Sequence, residues 1–429
     1  MDRFAPPRPC TPPPGGGARP VPSGAGRRGS GARGRGRGPP GGDRRGERVT
    51  GELLEAARAA LPEMLDDLRR YVEVETPSDD KEALTRGLSF VDGLVASRVG
   101  AADTTSTVDG GAHGDVRVLD FAGTDAPPVL LLAHYDTVWP LGTLAEIPFA
   151  VDGDRITGPG VFDMKAGLVQ LLWAIRIARA AGLPLPPLRL VLNGDEEIGS
   201  PASREVIERA AIGTRGALVF EAAAGPEGAV KTARKGVGLF TVHAEGVESH
   251  AGLDPTRGAS AIDELARAVL TLHAAQDLSA GTSVNVGVIE GGTRSNVIAG
   301  RASGELDVRV STLAEINRVE GVLAGLTPHH PKASLTVEGG WNRPVMERTP
   351  ATADLYAVAR AAAEALDLPL PEVSVGGASD GNFVAALGIG VLDGFGAVGD
   401  GAHARHEHAT ASGMVRRTAL TAAVLRALA

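Results

Sequence analysis

Cysteine is almost missing from this chain. Cys10 is the only one in 429 residues, so no intrachain disulfide can form and a reducing, cytoplasmic setting is expected. Long hydrophobic runs are missing too. Nothing approaches the ~18–20 apolar residues of a membrane span, and the N-terminus has no apolar core of the secretory type, so no membrane partner is expected. Aromatic residues are held to 3% beside 58 glycines, a compositional bias and not a functional mark. Lysine is absent from residues 1–48, which carry eleven Arg against three acids (Asp2, Asp43 and Glu47), a net of +8. The whole chain stands at −9, so the remainder carries −17. The tail, with "GAGRRGSGARGRGRGPPGGDRRG", has almost nothing to bury and is expected to be disordered. An RGG-like nucleic-acid tether is one reading of it and a dispensable tail the plainer one. The acidic body argues against nucleic acid as a partner.

The whole chain is 43% hydrophobic and 22% charged, the makeup of a soluble globular protein of two or three domains. From residue 50, "GELLEAARAALPEMLDDLRRYVEV" repeats apolar residues at i, i+3 and i+4, predicting a helix that breaks or restarts at Pro62. Strands and helices then alternate: "VRVLDF" and "PVLLLAHYDTV", a helix in "DMKAGLVQLLWAIRIARAAG" stopped by Gly182, the strand "LRLVLN", the helix "SPASREVIERAA", and the strand "GALVFEAA". Continuous apolar strands separated by helices imply an α/β fold, its central sheet mostly parallel and covered on both faces. Near residue 235 the order becomes β-α-β-β-α-β, that of a ferredoxin-like split βαβ unit, and after residue 345 the first texture resumes. The expected division is a tail at 1–48, a catalytic domain built from 49–233 and 343–429, and an inserted α+β domain at 234–342.

Candidate ligands gather at strand ends. In "LLLAHYDTVWP", His134 and Asp136 are two apart and point the same way along a strand, so Asp136 can hold the imidazole nitrogen that faces away from a metal. Asp163 follows a Gly-Pro-Gly turn at a helix start, where a plain N-cap is the competing role. In "GDEEIGS", successive side chains at a strand end point to opposite sides, so one of Glu196 and Glu197 can bind a metal while the other faces a water. Asp195 beside them reads as a solvated loop acid. Glu221 ends another apolar run. "GDGAHARHEHA" holds His403, His406 and His408, with Glu407 among them. The carboxyl edge of an open α/β sheet is where such groups meet. Two His and three carboxylates suit two Zn²⁺ ions, which as a pair share one carboxylate and take two ligands each. His134, Asp163, Glu197, Glu221 and His403 make up that number, with Glu196 left as base.

The order "AHYDT … GPGVFDMKAG … GDEEIGS … FEAA … GAHARHE" resembles the two-zinc exopeptidase and deacylase family of glutamate carboxypeptidase, aminoacylase, acetylornithine deacetylase and succinyl-diaminopimelate desuccinylase, across about residues 50–429. The resemblance implies the zinc-exopeptidase type of α/β fold with an inserted dimerisation and lid domain. It implies two Zn²⁺ per subunit, with Co²⁺ or Mn²⁺ as substitutes, and Asp163 shared between them. His134 and Glu221 then complete one site, and Glu197 and His403 the other. Glu196 becomes the general base and Asp136 the residue that orients His134. A cis peptide after Asp163 is a family habit. His250, in "GVESHAGLDP", resembles the inserted-domain His that reaches the partner subunit's active site as an oxyanion donor, which implies a homodimer. Asn296 and Arg309 match family positions near the substrate, Arg343 offers a fork for a carboxylate, and Gly377 lies in a Gly-rich loop lining the site. Glu221, where aminopeptidases carry Asp, favours carboxypeptidase and deacylase members. The expected substrate is a small peptide or N-acyl amino acid with a free carboxylate, and glutamate carboxypeptidase-like cleavage is expected ahead of N-acyl-amino-acid deacylation.

Two rivals stand beside this. Gly377-Ala378-Ser379-Asp380-Gly381 matches G-x-S-x-G, the nucleophile elbow, with Asp393 and His403 following in the order of a serine α/β-hydrolase. It leaves His134, Asp163, Glu196 and Glu197 without a role. A non-catalytic binding protein on the same scaffold would lack ligands, and none is lacking.

Overall fold

A computed structural model describes residues 44–429. The Arg-rich stretch, and the disorder and nucleic-acid roles considered for it, lie outside the described residues. The first helix, Arg44–Val72, begins inside the segment read as tail, because its first turn holds no apolar residue to mark it. The helix also runs through Pro62 without a break, against expectation. The carbonyl that loses its partner there belongs to Arg58, which is exposed, so solvent can take the missing bond.

The central sheet has six strands in the spatial order Thr104–Val108, Val116–Phe121, Leu188–Asn193, Val129–His134, Gly216–Val219, Val391–Leu392. Leu188–Asn193, Val129–His134, Gly216–Val219 and Val391–Leu392 pair in parallel, and Val116–Phe121 is antiparallel to both its neighbours. Val129–His134 lies in the middle and is buried throughout. Its residues alternate between two cores: Val129, Leu131 and Ala133 face the helices Arg44–Val72, Ala166–Ala180 and Ala411–Ala427, while Leu130 and Leu132 pack with Val206, Ile207 and Phe383 from two shorter helices. A strand covered on both faces must be apolar at every position, which is why "VLLLA" carries no alternation. No described helix is long and apolar enough to cross a membrane.

Between Gly236 and Arg343 the chain builds a second sheet, Gly236–Glu245, Ser283–Gly291, Arg301–Val310 and Ser334–Arg343, with helices Ala261–Ala274 and Leu313–Ala324. Its strands are all antiparallel in the order second, third, first, fourth, the split βαβ arrangement expected. Both helices contribute to a core on one face with Phe240, Val242, Leu306 and Val308. Leu239 and Ile289 are left exposed. The two crossings into this unit lie side by side, Arg234 and Met346 exchanging backbone hydrogen bonds of 2.9 and 3.1 Å.

A small sheet positions the rest of the site. Gly399–Asp400, His408–Thr410, Arg155–Thr157 and Ala150–Asp152 pair in that order, placing the loop that holds His403 against the strand that leads to Asp163.

Candidate active site

Three adjacent parallel strands end on one line. Val129–His134 sits between Leu188–Asn193 and Gly216–Val219, so His134, the Glu196–Glu197 turn and Glu221 emerge side by side at their carboxyl ends. Asp163 and His403 arrive from loops. His134 Nε2 is 3.2 Å from Glu221 Oε1 and 3.4 Å from Asp163 Oδ1. His403 Nε2 is 3.0 Å from Glu197 Oε2 and 3.4 Å from the other Asp163 oxygen, Oδ2. One carboxylate thus faces two separate His–Glu pairs, one with each oxygen. Asp163 does not cap the following helix; its backbone is extended (φ −117°, ψ 97°) and the Asp163–Met164 peptide is cis. Lys165 ties the same turn to the first helix and the residues just after it, Nζ donating to the Tyr71 carbonyl at 3.3 Å and the Val74 carbonyl at 2.8 Å.

Glu196 and Glu197 are not at a strand end, as the alternation argument had it. The strand stops at Asn193 and the two sit on a 3-10 turn, Glu196–Ile198, which turns successive side chains by ~120°. The two side chains still diverge: Glu197 faces His403, while Glu196 Oε1 accepts from Arg343 at 3.2 Å. Asp136 does more than the sequence suggested. Its Oδ1 lies 3.3 Å from His134 Nδ1, and its two oxygens also accept from the Glu196 and Glu197 amides (3.3 and 3.2 Å) and from Ser78 Oγ (2.7 Å). The Asp136 backbone carbonyl lies closer still to His134 Nδ1, at 3.0 Å, so this one residue orients the imidazole and its buried carboxylate anchors the glutamate turn. Asp195 is no solvated loop acid. It is fully buried, and Oδ2 accepts from the Ala202 and Ser203 amides at 2.8 and 3.1 Å, because the chain turns back over it before the helix Arg204–Ala211.

The donor set fits a cation. His134 Nε2, Asp163 Oδ1 and Glu197 Oε1 are buried with no hydrogen-bond partner, which is costly unless something else binds them. One ligand atom each from His134, Asp163 and Glu197, and from His134, Glu196 and Glu221, fall within 4.8 Å of one another. That grouping omits His403 and includes Glu196. Glu196 Oε1 is taken by Arg343, while His403 closes on Asp163 and Glu197. Hydrogen bonding from Asp163 and Glu197 pushes His403 up to about 11. Burial pulls the His134 imidazole down, but Asp136, Asp163 and Glu221 outweigh it and raise it well above its usual value. Surroundings that hold a proton so firmly on imidazole favour a cation at the same nitrogen. Burial, then the Asp163 charge, pushes Glu197 up to about 7, and burial raises Glu196 well above the carboxylate range, with the Arg343 guanidinium opposing it.

Residues read as substrate-binding are scattered. Gly377 lines the cavity of about 810 Å³ that also holds Asp163, Glu196, Glu197, Glu221 and His403. Arg343 is buried, and its guanidinium is already bonded to Glu196 and Ser200 and lies 3.1 Å from Asp380, so it is no free fork for a carboxylate. Arg309 is paired through two bonds of 2.7 Å with Asp307 on its own strand. His250 is exposed and accepts from the Gly252 and Leu253 amides, both at 3.1 Å. It neighbours exposed Asn296, whose carbonyl takes the Ala251 amide at 2.9 Å. None of His250, Asn296 and Arg309 lines the cavity of its own chain.

Sequence reasoning passed over two groups. Arg234 is buried with both arms on Asp393 (2.7 and 2.6 Å) and reaches the Gly377 carbonyl at 3.0 Å; the only signal was a cation ending "VKTAR". Glu407 is also buried, and its neighbouring histidines hid it. The serine reading fails on geometry. Ser379 is fully buried and its hydroxyl donates to Asp393, itself engaged by Arg234, whereas an elbow nucleophile must stand exposed with a His beside it. His403 is engaged by Asp163 and Glu197 instead.

His–carboxylate sets joined by one aspartate, at the carboxyl edge of an α/β sheet, define a metal-dependent hydrolase. The profile of the peptidase family M20/M25/M40 matches residues 130–427, and the chain belongs to that family of peptide-bond hydrolases. Carboxypeptidase G2 of Pseudomonas sp. (strain RS-16) is 27% identical over 378 residues, 87% of this chain and 91% of that protein. Acetylornithine deacetylase of Myxococcus xanthus is 33% identical over 231 residues, 48% of this chain and 58% of its own. Among solved structures, the M20 family metallo-carboxypeptidase Sso-CP2 from Sulfolobus solfataricus shares the fold at a TM-score of 0.65 and 17% identity, over 85% of this chain and 99% of that one. Aminopeptidase PepT from Bacillus cereus ATCC 10987 shares it at 0.71 and 19%, over 86% and 98%.

Proposed function

We propose that this chain is a two-zinc exopeptidase that hydrolyses an amide bond next to a free carboxylate, in the manner of a glutamate carboxypeptidase. The observation that carries the reading is Asp163, whose two oxygens face two different His–Glu pairs. His134, Asp163 and Glu221 would hold one Zn²⁺, and His403, Asp163 and Glu197 the other, with Co²⁺ or Mn²⁺ able to replace them. Bound there, the cations supply Lewis acidity toward water and toward a scissile carbonyl. Everything else is the chain's own. Arg343 holds Glu196 Oε1, so Oε2 is the atom that takes a proton from the attacking water and returns it to the leaving amine nitrogen. A carboxyl raised by burial is suited to both tasks near neutral pH. Asp136 fixes the His134 ring and the glutamate turn. Lys231 and Arg416 line the same cavity and bring positive charge to it, in keeping with a carboxylate-bearing substrate.

The likeness to carboxypeptidase G2 along most of both chains supports peptide cleavage. The acetylornithine deacetylase match keeps N-acyl-amino-acid deacylation as the second reading. In this account residues 49–233 and 343–429 form the catalytic body, 234–342 is a lid and dimerisation unit, and the working form is a cytoplasmic homodimer. His250 and Asn296, on two adjoining exposed loops, would serve the partner's cavity. The test is a panel of dipeptides and N-acyl amino acids ending in Glu, Asp or apolar residues, with Zn²⁺ supplied. Turnover of γ- or α-linked glutamates above the rest is expected, and equal rates for wild type and Glu196→Gln on every substrate would sink the mechanism.

A further inference from the structure

Glu407 belongs to neither ligand set, yet its carboxylate is buried and wholly engaged. Oε1 accepts from the Phe162 and Asp163 amides at 2.8 and 3.1 Å; Oε2 accepts from the Gly160 amide at 2.9 Å and from Trp139 Nε1 at 2.7 Å. An ionised carboxylate offers about four acceptor positions, so these four N–H groups saturate it and leave nothing for a cation. The donors are not arbitrary. Gly160, Phe162 and Asp163 are the turn that ends in the shared carboxylate, and the turn has no helical ladder of its own at Asp163. Trp139 follows His134 and Asp136 on the next loop, and Glu407 itself stands four residues after His403. One buried anion therefore joins the three segments that carry His134, Asp163 and His403. Gly160 is held at φ +73°, where an added Cβ would come within 2.7 Å of Thr137, so only glycine lets this amide turn toward Glu407.

We propose that Glu407 is a positioning residue that sets Asp163 between the two cation sites and locks the His403 loop against it. The inference rests on the two-cation reading. It is tested by Zn²⁺ affinity and stoichiometry from chelator competition, by the visible absorption of the Co²⁺ form, and by thermal unfolding of the metal-free chain. Three forms of the full chain are compared: wild type, Glu407→Gln and Glu407→Asp. Glutamine can accept at one end only, so either way round its NH₂ group meets two N–H donors. Zn²⁺ affinity is expected to fall about ten- to hundredfold and the Co²⁺ bands to shift, with the metal-free chain still unfolding cooperatively. Glu407→Asp keeps the acceptors with a shorter reach and is expected to fall between. Two Zn²⁺ bound by Glu407→Gln within about twofold of wild type, with an unchanged Co²⁺ spectrum, overturns the role of Glu407 alone. A wild-type chain that takes up fewer than two Zn²⁺ overturns the two-cation reading and this inference with it. If Glu407→Gln does not fold, Trp139→Phe removes one of the four donors; a Co²⁺ spectrum that then stays unmoved also overturns the proposal.

Discussion

The carboxyl edge of the central sheet and the exposed loops of the inserted sheet both carry His, Asn, Arg and carboxylates, and the fold treats them in opposite ways. At the edge, His134 is 2% exposed and meets three carboxylates, His403 meets two, and three polar atoms lack any hydrogen-bond partner. Burying such groups costs free energy that only a cation or a proton can offset, so the edge is built for an occupant. In the inserted unit, His250 closes its own turn and Arg309 is matched by Asp307. Ser249 Oγ is buried there without a partner, but His250, Asn296 and Arg309 do not reach the cavity of the same chain. The difference teaches that unmet demand marks the one region for chemistry, while any catalytic part for the other rests on the proposed homodimer.

The largest effect should come from emptying the edge. Dialysis against phenanthroline is expected to abolish activity, and Zn²⁺ to restore it. Activity that survives removal of metal, checked by atomic absorption, would break the contrast at its root. Glu196→Gln comes next, with kcat down by about 10²–10⁴, the range for a general acid–base residue, and both Zn²⁺ retained. Loss of one metal from this variant would instead place Glu196 among the ligands, as its nearness to His134 and Glu221 allows.

His250→Ala carries the contrast to the other region. A donor aimed at a developing oxyanion is worth about 10²–10³ in kcat, although within its own chain His250 only closes a turn. Mixing His250→Ala with Glu196→Gln is expected to recover part of the activity, because a mixed dimer would rebuild one complete site. Two inactive variants that stay inactive when mixed, under conditions where subunits exchange, would confine the site to one chain.

These predictions follow how far the sequence could be read. The mostly parallel, doubly covered sheet was open to reasoning because Val129–Ala133 is apolar at every position, as a strand covered on both sides must be, and the His134–Asp136 spacing holds whatever surrounds it. The proposed ligand set was legible only jointly: Asp163 alone looks like a cap, and the part proposed for it depends on His403, 240 positions away along the chain. Asp195 and Glu407 were missed for one physical reason. Both are carboxylates held mainly by backbone amides, and an amide leaves no trace in residue identity. Arg343 was misjudged from its place at the junction of the two units, since the sequence does not show that Glu196, Ser200 and Asp380 already surround its guanidinium. Pro62 was overread because its local rule is strong, while the exposure of Arg58 that relieves it is a tertiary fact.

Arg309→Ala should have the smallest effect and is the finest probe of the comparison. The guanidinium makes two bonds to Asp307 on the same strand, and both side chains are about one-third exposed, so water competes for each partner. An exposed pair of this kind is worth ~0.2–1 kcal/mol, and losing it should lower the unfolding free energy by no more than that. If the Asp307 pairing is all Arg309 does, KM for a glutamate-terminated dipeptide should stay within about fivefold of wild type, the factor that 1 kcal/mol allows. A guanidinium that left Asp307 to grip a substrate carboxylate would behave differently. It would be exchanging one carboxylate for another, so its removal would raise KM by tenfold or more with kcat unchanged, the mark of lost uniform binding. The double variant Arg309→Ala/Asp307→Ala separates the cases. If the pair is self-contained, the stability changes of the two single variants exceed that of the double and KM does not move. If the substrate takes the guanidinium, Asp307→Ala alone lowers KM, because it removes the competitor.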